Sequence, residues 1–330
     1  MSLSELPEKN LALDLVRITE AAALASARWL GKGEKKGGDR AAVDAMRLSF
    51  NAVDISGKVI IGEGEKDEAP MLYNGERVGT GSGPEVDVAV DPVEGTKLLA
   101  YGRPNAISVA GLAPSESMYA PGSSYYMRKL VVPAPAKDKV ELEASVQDNL
   151  SRVAAALDKD VGDLVVFVLD KPRHEELIEE IRQAGARIQL HSEGDIAGAL
   201  MAVDPGSEVD LLLGTGGTPE GVLSACAIKA MGGEMLCSPD PQKDHERRAL
   251  LEQGVDLGQV LSTADLIDSD DVYFAATGIS GGGFLSGVSY TGSGATTHSL
   301  VTRGKTGTIR RIEASHSWQR LMRFSAVDYD

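Results

Sequence analysis

The run from residue 86 to residue 96, VDVAVDPVEGT, constrains this chain more than any other feature. It predicts an apolar strand that leads directly into Asp91, with Glu94, Gly95 and Thr96 close behind. Carboxylate oxygens on a tight turn are ligands that suit Mg²⁺ or Mn²⁺. The Gly95 amide and the Thr96 hydroxyl can contact an anion held by such a cation, and the hydroxyl can also orient a water molecule.

A second acidic loop follows an earlier predicted strand at about 58–61 and contains Glu63, Glu65, Asp67 and Glu68. Open α/β sheets bind ligands at the C-terminal ends of their strands, which is where both loops lie. Either loop alone could be a solvated acidic turn, which is the commoner fate of such clusters. Two of them, each directly after an apolar strand, indicate the multi-metal site of a metal-dependent phosphatase.

Two further acids have a local explanation that competes with metal binding. Asp39 stands at a predicted helix start, where Asp is a favoured N-cap, and capping is the preferred interpretation on the residues alone. Glu220 follows Thr218 and Pro219, which suit an N-cap and a first helical position, and an acid there stabilises the helix dipole. Glu63, by contrast, follows a strand and gains nothing from a cap, so it is interpreted as a ligand, as Asp91 and Glu94 are.

Basic and glycine-rich segments supply candidates for the other side of the site. Lys171-Pro172-Arg173 follows a predicted strand and could clamp phosphate oxygens, although a solvated helix start explains it equally well. The segment 193–195 could accept hydrogen bonds from sugar hydroxyls, and 214–217 resembles a phosphate-cradling turn. The five histidines show no ligand-like spacing and are interpreted as surface or structural: His174, His191, His245, His298 and His316.

The composition excludes several classes of function. The formal net charge of −16 disfavours binding to nucleic acid or anionic membranes, because phosphate surfaces require clustered Lys and Arg. No apolar run approaches the roughly 20 residues of a membrane span, and residues 1–10 lack the basic and apolar regions of a signal peptide. Cys226 and Cys237 form no disulfide framework and lack the spacing of a zinc site. We therefore expect a cytoplasmic protein with reduced thiols.

The chain's 330 residues exceed the size at which one core usually stops growing, so we expect two α/β subdomains. The first, 1–160, would bind the metal; it contains predicted helices from Leu11 and from Asp39. A Pro/Ala-rich surface excursion at 133–150 would lead into the second, 161–330, which would bind sugar phosphate. There a β-α-β rhythm predicts a doubly wound pattern, and the segments 284–290, 296–302 and 306–313 predict a short closing β-ribbon.

Taken together, these residues resemble the class II fructose-1,6-bisphosphatases of the GlpX family, within the lithium-sensitive phosphatase superfamily. The shorter DPVEGT core marks only the superfamily, whereas the long GEGEKDEAPMLY run and the late PEG triplet are specific to the family. The matching segments span nearly the whole chain: 17–23, 61–65, 67–73, 91–96, 126–127, 171–174, 193–195 and 216–221.

The resemblance implies a layered α/β/α/β/α sandwich, Mg²⁺ or Mn²⁺ as cofactor, a homo-oligomer (dimer or tetramer), and hydrolysis of the 1-phosphate of fructose 1,6-bisphosphate in gluconeogenesis. It also implies a full set of metal ligands, which reverses the local interpretation of two of them: Asp39, Glu63, Asp91, Glu94 and Glu220. The implied substrate-binding residues are Glu94, Gly95, Thr96, Tyr126, Lys171, Pro172, Arg173, Glu193, Gly194, Asp195 and Gly217. Glu193 stands where many family members have Asp, a departure that would lengthen or redirect this sugar contact.

The expected mechanism is in-line attack of water on phosphorus beside about two or three divalent cations. Thr96 would orient the water, and either Glu63 or Asp67 would take its proton. Sedoheptulose 1,7-bisphosphate and inositol monophosphate are alternative substrates, and a separate basic clamp favours a bisphosphate. A non-catalytic sugar-phosphate sensor on the same fold is the alternative from another class, and the intact Thr96 with its neighbouring acids argues against it.

Overall fold

Two β-sheets and the helices around them make up the described part of the chain. The computed structural model describes residues 9–64 and 71–324. The helices are α1 Ala12–Ser26, α2 Lys35–Phe50, α3 Thr96–Tyr101, α4 Val146–Leu157, α5 Glu175–Gln183, α6 Asp195–Val203, α7 Thr218–Met231, α8 Asp244–Glu252, α9 Thr263–Leu266 and α10 Trp318–Phe324. The strands are β1 Ser56–Ile61, β2 Arg77–Val78, β3 Glu85–Glu94, β4 Ile107–Pro114, β5 Tyr126–Val132, β6 Val165–Leu169, β7 Arg187–His191, β8 Leu211–Gly217, β9 Glu234–Pro239, β10 Leu261–Ser262, β11 Tyr273–Gly278, β12 Ser289–Thr291, β13 Gly294–Arg303 and β14 Thr308–Ser317.

Both sheets mix parallel and antiparallel pairs. The first sheet has the order β2-β1-β3-β4-β11-β13-β12, with β14 pairing along β13. Within it β1 and β3 are parallel, whereas β4 runs antiparallel to both β3 and β11. The second sheet has the order β7-β6-β8-β5-β9-β10, and β6 is parallel to β7 and β8. The parallel strands bring their C-terminal ends to one edge, where the site lies.

Alternating side chains on the strands separate the three largest apolar cores of the described residues and define five layers. In β3, Val88 and Val90 pack with α1 and α2, while Ala89 faces the opposite core. In β6, Phe167 packs toward α6 and α7, while Val166 packs toward α4 and α5. Helices α6 and α7 therefore lie between the two sheets. This order of layers confirms the expected α/β/α/β/α sandwich.

The sheets do not follow the predicted division at residue 160. Strand β5 precedes that residue but lies in the second sheet, whereas β11 to β14 follow it and extend the first sheet. The register of β11 on β4, with Tyr273 opposite Leu112, joins distant parts of the chain. Subdomains 1–160 and 161–330 thus stay a prediction, and residue 160 does not separate the sheets.

Two local predictions are wrong because tertiary packing overrides local composition. The stretch 133–150 is not a surface excursion: Val140, Leu142 and Leu150 are buried in the core that α4 shares with the second sheet. The closing ribbon is also larger than expected, since β13 and β14 are ten-residue strands that pair along their whole length.

Among the described residues, none of the helices has both the length and the apolar character needed to cross a bilayer.

Candidate active site

The end of strand β3 brings Asp91, Glu94 and Thr96 into one cleft of about 430 Å³. The pairing of β3 with β4 shifts register between Asp91 and Glu94, which is the signature of a bulge that redirects side chains. The Asp91 carboxylate accepts a hydrogen bond from the Val93 amide at 3.0 Å, which stabilises the turn. Gly95 then leads into α3, whose first residue is Thr96. The predicted acidic turn is therefore present, and its polar side chains share the cleft.

Glu220 joins this turn from the first helical turn of α7. Asp91, Glu94 and Glu220 each offer a carboxylate oxygen, and the three oxygens lie within 4.8 Å of one another. We call these three residues the acidic cluster. A Cβ atom on Gly217 would lie 1.8 Å from Glu220 Oε2, so only glycine permits this approach. Among the described residues nothing forms a hydrogen bond with Glu220 Oε2, although the atom is buried.

Asp39 and Glu63 line the same cleft. Helix α2 begins at Lys35 and not at Asp39, so the N-cap interpretation of Asp39 is wrong. The early start has a packing reason, because Gly37 lies where a Cβ atom would come within 2.3 Å of the Trp29 ring. The helix can approach Trp29 closely only through glycine, a residue that local propensity assigns to a loop. Asp39 thus lies one turn inside α2, with its side chain at the cleft.

Burial and mutual repulsion make these carboxyl groups hard to ionise together. Burial raises the pKa of Glu63 to about 7, and the nearby Asp39 carboxylate adds to the shift. Burial also raises the pKa of Glu94 to about 7, with Glu220 and Asp195 contributing. A carboxyl group that loses solvent near other carboxylates favours its neutral form unless a cation is present. The cleft therefore holds hard oxygen donors whose repulsion a divalent cation would relieve.

The other two members of the acidic cluster show the same effect. Burial raises the pKa of Asp91 well above its ordinary value, and the carboxylates of Glu94 and Glu63 raise it further. Burial raises the pKa of Glu220 as well, while the ammonium group of Lys129 opposes that shift. Together with the unpartnered Glu220 Oε2, this donor set fits a hard divalent cation such as Mg²⁺ or Mn²⁺.

Lys129 is a buried cation in the wall of this region that sequence reasoning missed. Its side chain is 1% exposed, forms an ion pair with Asp195 and donates a hydrogen bond to the Gly217 carbonyl at 2.7 Å. It therefore connects the start of α6 to the turn that precedes Glu220. The available signal was the alternation of β5, where Lys129 falls on the same face as the buried Met127 and Val131.

The basic residues Lys171 and Arg173 line the cleft as well, and we call them the basic pair. Pro172 opens the 3₁₀ turn Pro172–His174 between them, which agrees with the predicted stiff turn. The Arg173 guanidinium donates from Nε and Nη2 to the Thr215 carbonyl at 3.1 and 2.8 Å. The basic pair and the acidic cluster thus belong to one cavity.

Tyr126 lies beside this cavity. Its ring centroid is 5.2 Å from the guanidinium carbon of Arg173, a distance typical of a cation–π contact. Tyr126 also lines an adjoining cavity of about 550 Å³, which shares Gly217 and Glu220 with the main cleft. The tyrosine therefore contacts the basic pair from the neighbouring side.

The segment 193–195 lies at the start of α6 and links the acidic and basic sides. Glu193 is engaged with Lys97, accepting a hydrogen bond from its amide at 3.1 Å and forming an ion pair with its ammonium group at 3.1 Å. The Ile196 amide donates to Glu94 Oε1 at 3.2 Å. Glu193 thus stabilises the start of α3 in this structure.

Most predicted site residues meet in one place. Those that line the 430 Å³ cleft are Asp39, Glu63, Asp91, Glu94, Gly95, Thr96, Lys171, Arg173, Glu193, Gly194, Asp195, Gly217 and Glu220. Tyr126 and Pro172 lie next to them. Asp67, the other candidate base, lies outside the described residues.

The chain is similar over most of its length to known proteins. The family model described as bacterial fructose-1,6-bisphosphatase, glpX-encoded, matches residues 9–316. Fructose-1,6-bisphosphatase 1 class 2 of Escherichia coli (strain K12) is 46% identical over 325 residues, covering 94% of this chain and 96% of that protein. Fructose-1,6-bisphosphatase class 2 of Shigella flexneri shows the same identity and coverage.

Proposed function

We infer that this chain, which belongs to the glpX-encoded family of bacterial fructose-1,6-bisphosphatases, hydrolyses fructose 1,6-bisphosphate to fructose 6-phosphate and phosphate. Its 46% identity to proteins named class 2 fructose-1,6-bisphosphatases extends over nearly the full length of both chains. The observation that carries the inference is the acidic cluster, whose carboxylate oxygens lie within 4.8 Å in the cavity that also contains Lys171 and Arg173. Cation-binding acids and phosphate-binding bases in one cleft suit a phosphatase.

We propose that Mg²⁺ or Mn²⁺ binds here through Asp39, Glu63, Asp91, Glu94 and Glu220. Such ions, when bound, neutralise the negative charge that develops on the phosphoryl group. The raised pKa values of Glu63 and Glu94 and the unpartnered Glu220 Oε2 support this ligand set. Lys129 supplies a fixed positive charge that pairs with Asp195, and its charge opposes the rise in the pKa of Glu220.

Thr96 is proposed to orient the attacking water, because its hydroxyl stands at the start of α3 directly after the metal-binding turn. Either Glu63 or Asp67 then accepts the proton of that water. Glu63 lines the same cleft as Thr96, which supports Glu63 as the acceptor. The water oxygen bonds to phosphorus, the bond from phosphorus to the sugar oxygen breaks, and that oxygen takes a proton from solvent. The products are the sugar hydroxyl and inorganic phosphate.

We propose that the other phosphate and the sugar bind to Tyr126, to the basic pair, to Pro172 and to the segment 193–195. Gly95 and Gly217 would contact the ligand as well. A guanidinium offers a forked donor set, whereas Lys171 acts as a point charge. Such a pair favours bisphosphates over monophosphates. Sedoheptulose 1,7-bisphosphate, which also has a second phosphate, is therefore the alternative substrate.

The charge of the chain bears on its physiological setting. The net charge of −16 disfavours nucleic acid and anionic membranes as partners. We propose a cytoplasmic, homo-oligomeric enzyme (a dimer or a tetramer) that acts in gluconeogenesis.

The test is phosphate release from fructose 1,6-bisphosphate with Mg²⁺ or Mn²⁺, against an EDTA blank. Thr96→Ala should lower kcat on the order of 100-fold with little change in KM. Thr306→Ala, at an exposed threonine whose hydroxyl contacts only Thr308 among the described residues, is the matched control. Metal-independent release, or an unchanged kcat in Thr96→Ala, would contradict the proposal.

A further inference from the structure

We propose that His174, acting through Thr215, is a positioning residue that makes the enzyme selective for bisphosphates by fixing the orientation of Arg173. The inference rests on the proposed function, in which Arg173 binds the phosphate that is not cleaved. His174 belongs to none of the proposed ligand sets. It follows Arg173 directly, and its side chain points away from the cleft into the protein, where it is 3% exposed.

The imidazole joins two backbone groups of the second sheet. Nδ1 lies 2.7 Å from the Leu169 carbonyl at the end of β6, and Nε2 lies 2.7 Å from the Thr215 amide in β8. Because an amide can only donate and a carbonyl can only accept, Nδ1 carries the proton and Nε2 accepts. Burial lowers the pKa of His174, which agrees with this neutral tautomer. The side chain thus fixes the position of Thr215 relative to the turn that carries Arg173.

Thr215 in turn holds the guanidinium of Arg173 in place. The carbonyl of Thr215 accepts two hydrogen bonds from the guanidinium, from Nε at 3.1 Å and from Nη2 at 2.8 Å. Its hydroxyl donates to Asp240 Oδ2 at 2.5 Å, and the Asp240 amide donates to the Tyr126 carbonyl at 2.9 Å. The Tyr126 ring contacts the guanidinium at 5.2 Å and closes a ring of four residues.

This ring determines which donors Arg173 can present. A guanidinium has five N–H groups in a rigid plane, and Thr215 uses two of them. The remaining donors have a defined direction although the side chain is exposed. A side chain that is oriented before binding loses less conformational entropy when the ligand arrives. His174 therefore contributes to phosphate binding without touching substrate.

Two substitutions separate the bonds of His174. The amide of Asn reaches about as far as Nδ1, so His174→Asn can keep the bond to Leu169 but loses the bond to Thr215. The longer Gln places its carbonyl oxygen near Nε2, so His174→Gln can keep the bond to Thr215. His191→Asn is the matched control, since His191 lies in the same sheet and stacks on Phe167 with a centroid separation of 4.4 Å.

The experiment compares kcat/KM for fructose 1,6-bisphosphate with kcat/KM for fructose 1-phosphate, which lacks the second phosphate. His174→Asn should lower the ratio of these two values about tenfold, mainly through KM for the bisphosphate, whereas His174→Gln should retain most of it. In an Arg173→Ala background, His174→Asn should cause no further loss of this ratio, because residues that act as a unit are not additive. Equal losses for both substrates, or additive effects in the double variant, would overturn the inference.

A folding defect is recognised by thermal unfolding of each variant. If His174→Asn does not fold, Thr215→Val removes the hydroxyl bond to Asp240 and keeps the backbone, so a smaller selective loss is expected and an unchanged ratio would overturn the inference. If the wild type releases no phosphate from fructose 1,6-bisphosphate, the proposed function fails and this inference fails with it. An active wild type with unselective variants would overturn the inference alone.

Discussion

The acidic cluster and the basic pair occupy one cleft but are built in opposite ways. Asp91 and Glu94 lie at the end of β3 and Glu220 lies in the first turn of α7, where burial and repulsion raise their pKa values. Arg173, by contrast, is exposed and is oriented by a backbone carbonyl and an aromatic ring. Without a cation, the carboxylates of the acidic cluster repel one another. Arg173, however, is held in one orientation before the substrate binds. The cation should therefore determine catalysis, and the basic pair should determine substrate choice.

The largest effect is expected from Asp91→Asn, which keeps the shape of the acidic cluster and removes a charge. Loss of one charged ligand of the proposed cation, which neutralises the phosphoryl group, should lower kcat on the order of 1,000-fold. The same change relieves repulsion, so the metal-free variant should unfold at a higher temperature than the metal-free wild type. Glu313→Gln, at an exposed position of β14, is the control. An unchanged metal titration, or a destabilised metal-free variant, would contradict the comparison.

Lys129→Met should remove the contacts that connect Asp195, at the start of α6, with the carbonyl of Gly217. Removing one partner of a buried ion pair leaves an uncompensated charge on Asp195, at a cost of about 3–5 kcal/mol in the free energy of unfolding. Lys9→Met, in an exposed ion pair of 3.5 Å with Asp54, should cost less than about 1 kcal/mol. Urea unfolding of both variants measures the difference. Similar values for the two would show that Lys129 does not hold the site together.

Metal affinity should depend on pH in the direction set by the acids. Because Glu63 and Glu94 have pKa values of about 7 in the metal-free protein, protons compete with the cation below that pH. Calorimetric titration with Mn²⁺ should show a Kd that rises as pH falls from 8 to 6, by up to about tenfold per pH unit for each displaced proton.

The same shifts have a consequence for stability. A carboxyl group whose pKa rises from 4.5 to about 7 on folding stabilises the folded state at low pH, and this contribution is lost as pH rises through 7. As pH rises from 4.5 to about 7, the metal-free wild type should therefore lose stability relative to Glu63→Gln. Thermal unfolding of both proteins in EDTA measures this difference. A Kd and a difference in stability that do not vary with pH would argue that the acids are already ionised.

The smallest effect is expected from Arg173→Lys, which keeps the charge of the basic pair but removes the fork. The ammonium group cannot donate twice to Thr215 and present an oriented plane to phosphate. KM for fructose 1,6-bisphosphate should rise about fivefold, with less change in kcat. Arg187→Lys, at an exposed arginine that donates to the Asp163 carbonyl, should change neither constant. A larger fall in kcat than rise in KM would place Arg173 in the chemical step.

Local patterning predicted the elements that carry the acids, because an apolar strand and the turn after it are adjacent in the chain. Glu63, Asp91 and Glu94 were predicted as ligands in this way, and all three line one cleft. Local reasoning misled at Asp39, since the helix around it starts early by packing Gly37 on Trp29. It also missed Lys129, and it did not show that His174, interpreted as surface or structural, bonds to the amide of Thr215 in β8.

The sequence by itself determined the chemistry available to this protein: carboxylates after strands, a basic turn and a family pattern that spans almost the whole chain. Only the tertiary structure decided which of these groups meet. Strands β11 to β14 return to the first sheet, and α7 carries Glu220 between the sheets to within 4.8 Å of Asp91 and Glu94. Proximity and loss of solvent are properties of the packed chain, and together they raise the pKa values of the acids. The proximity of Thr215 and Tyr126 orients the exposed Arg173.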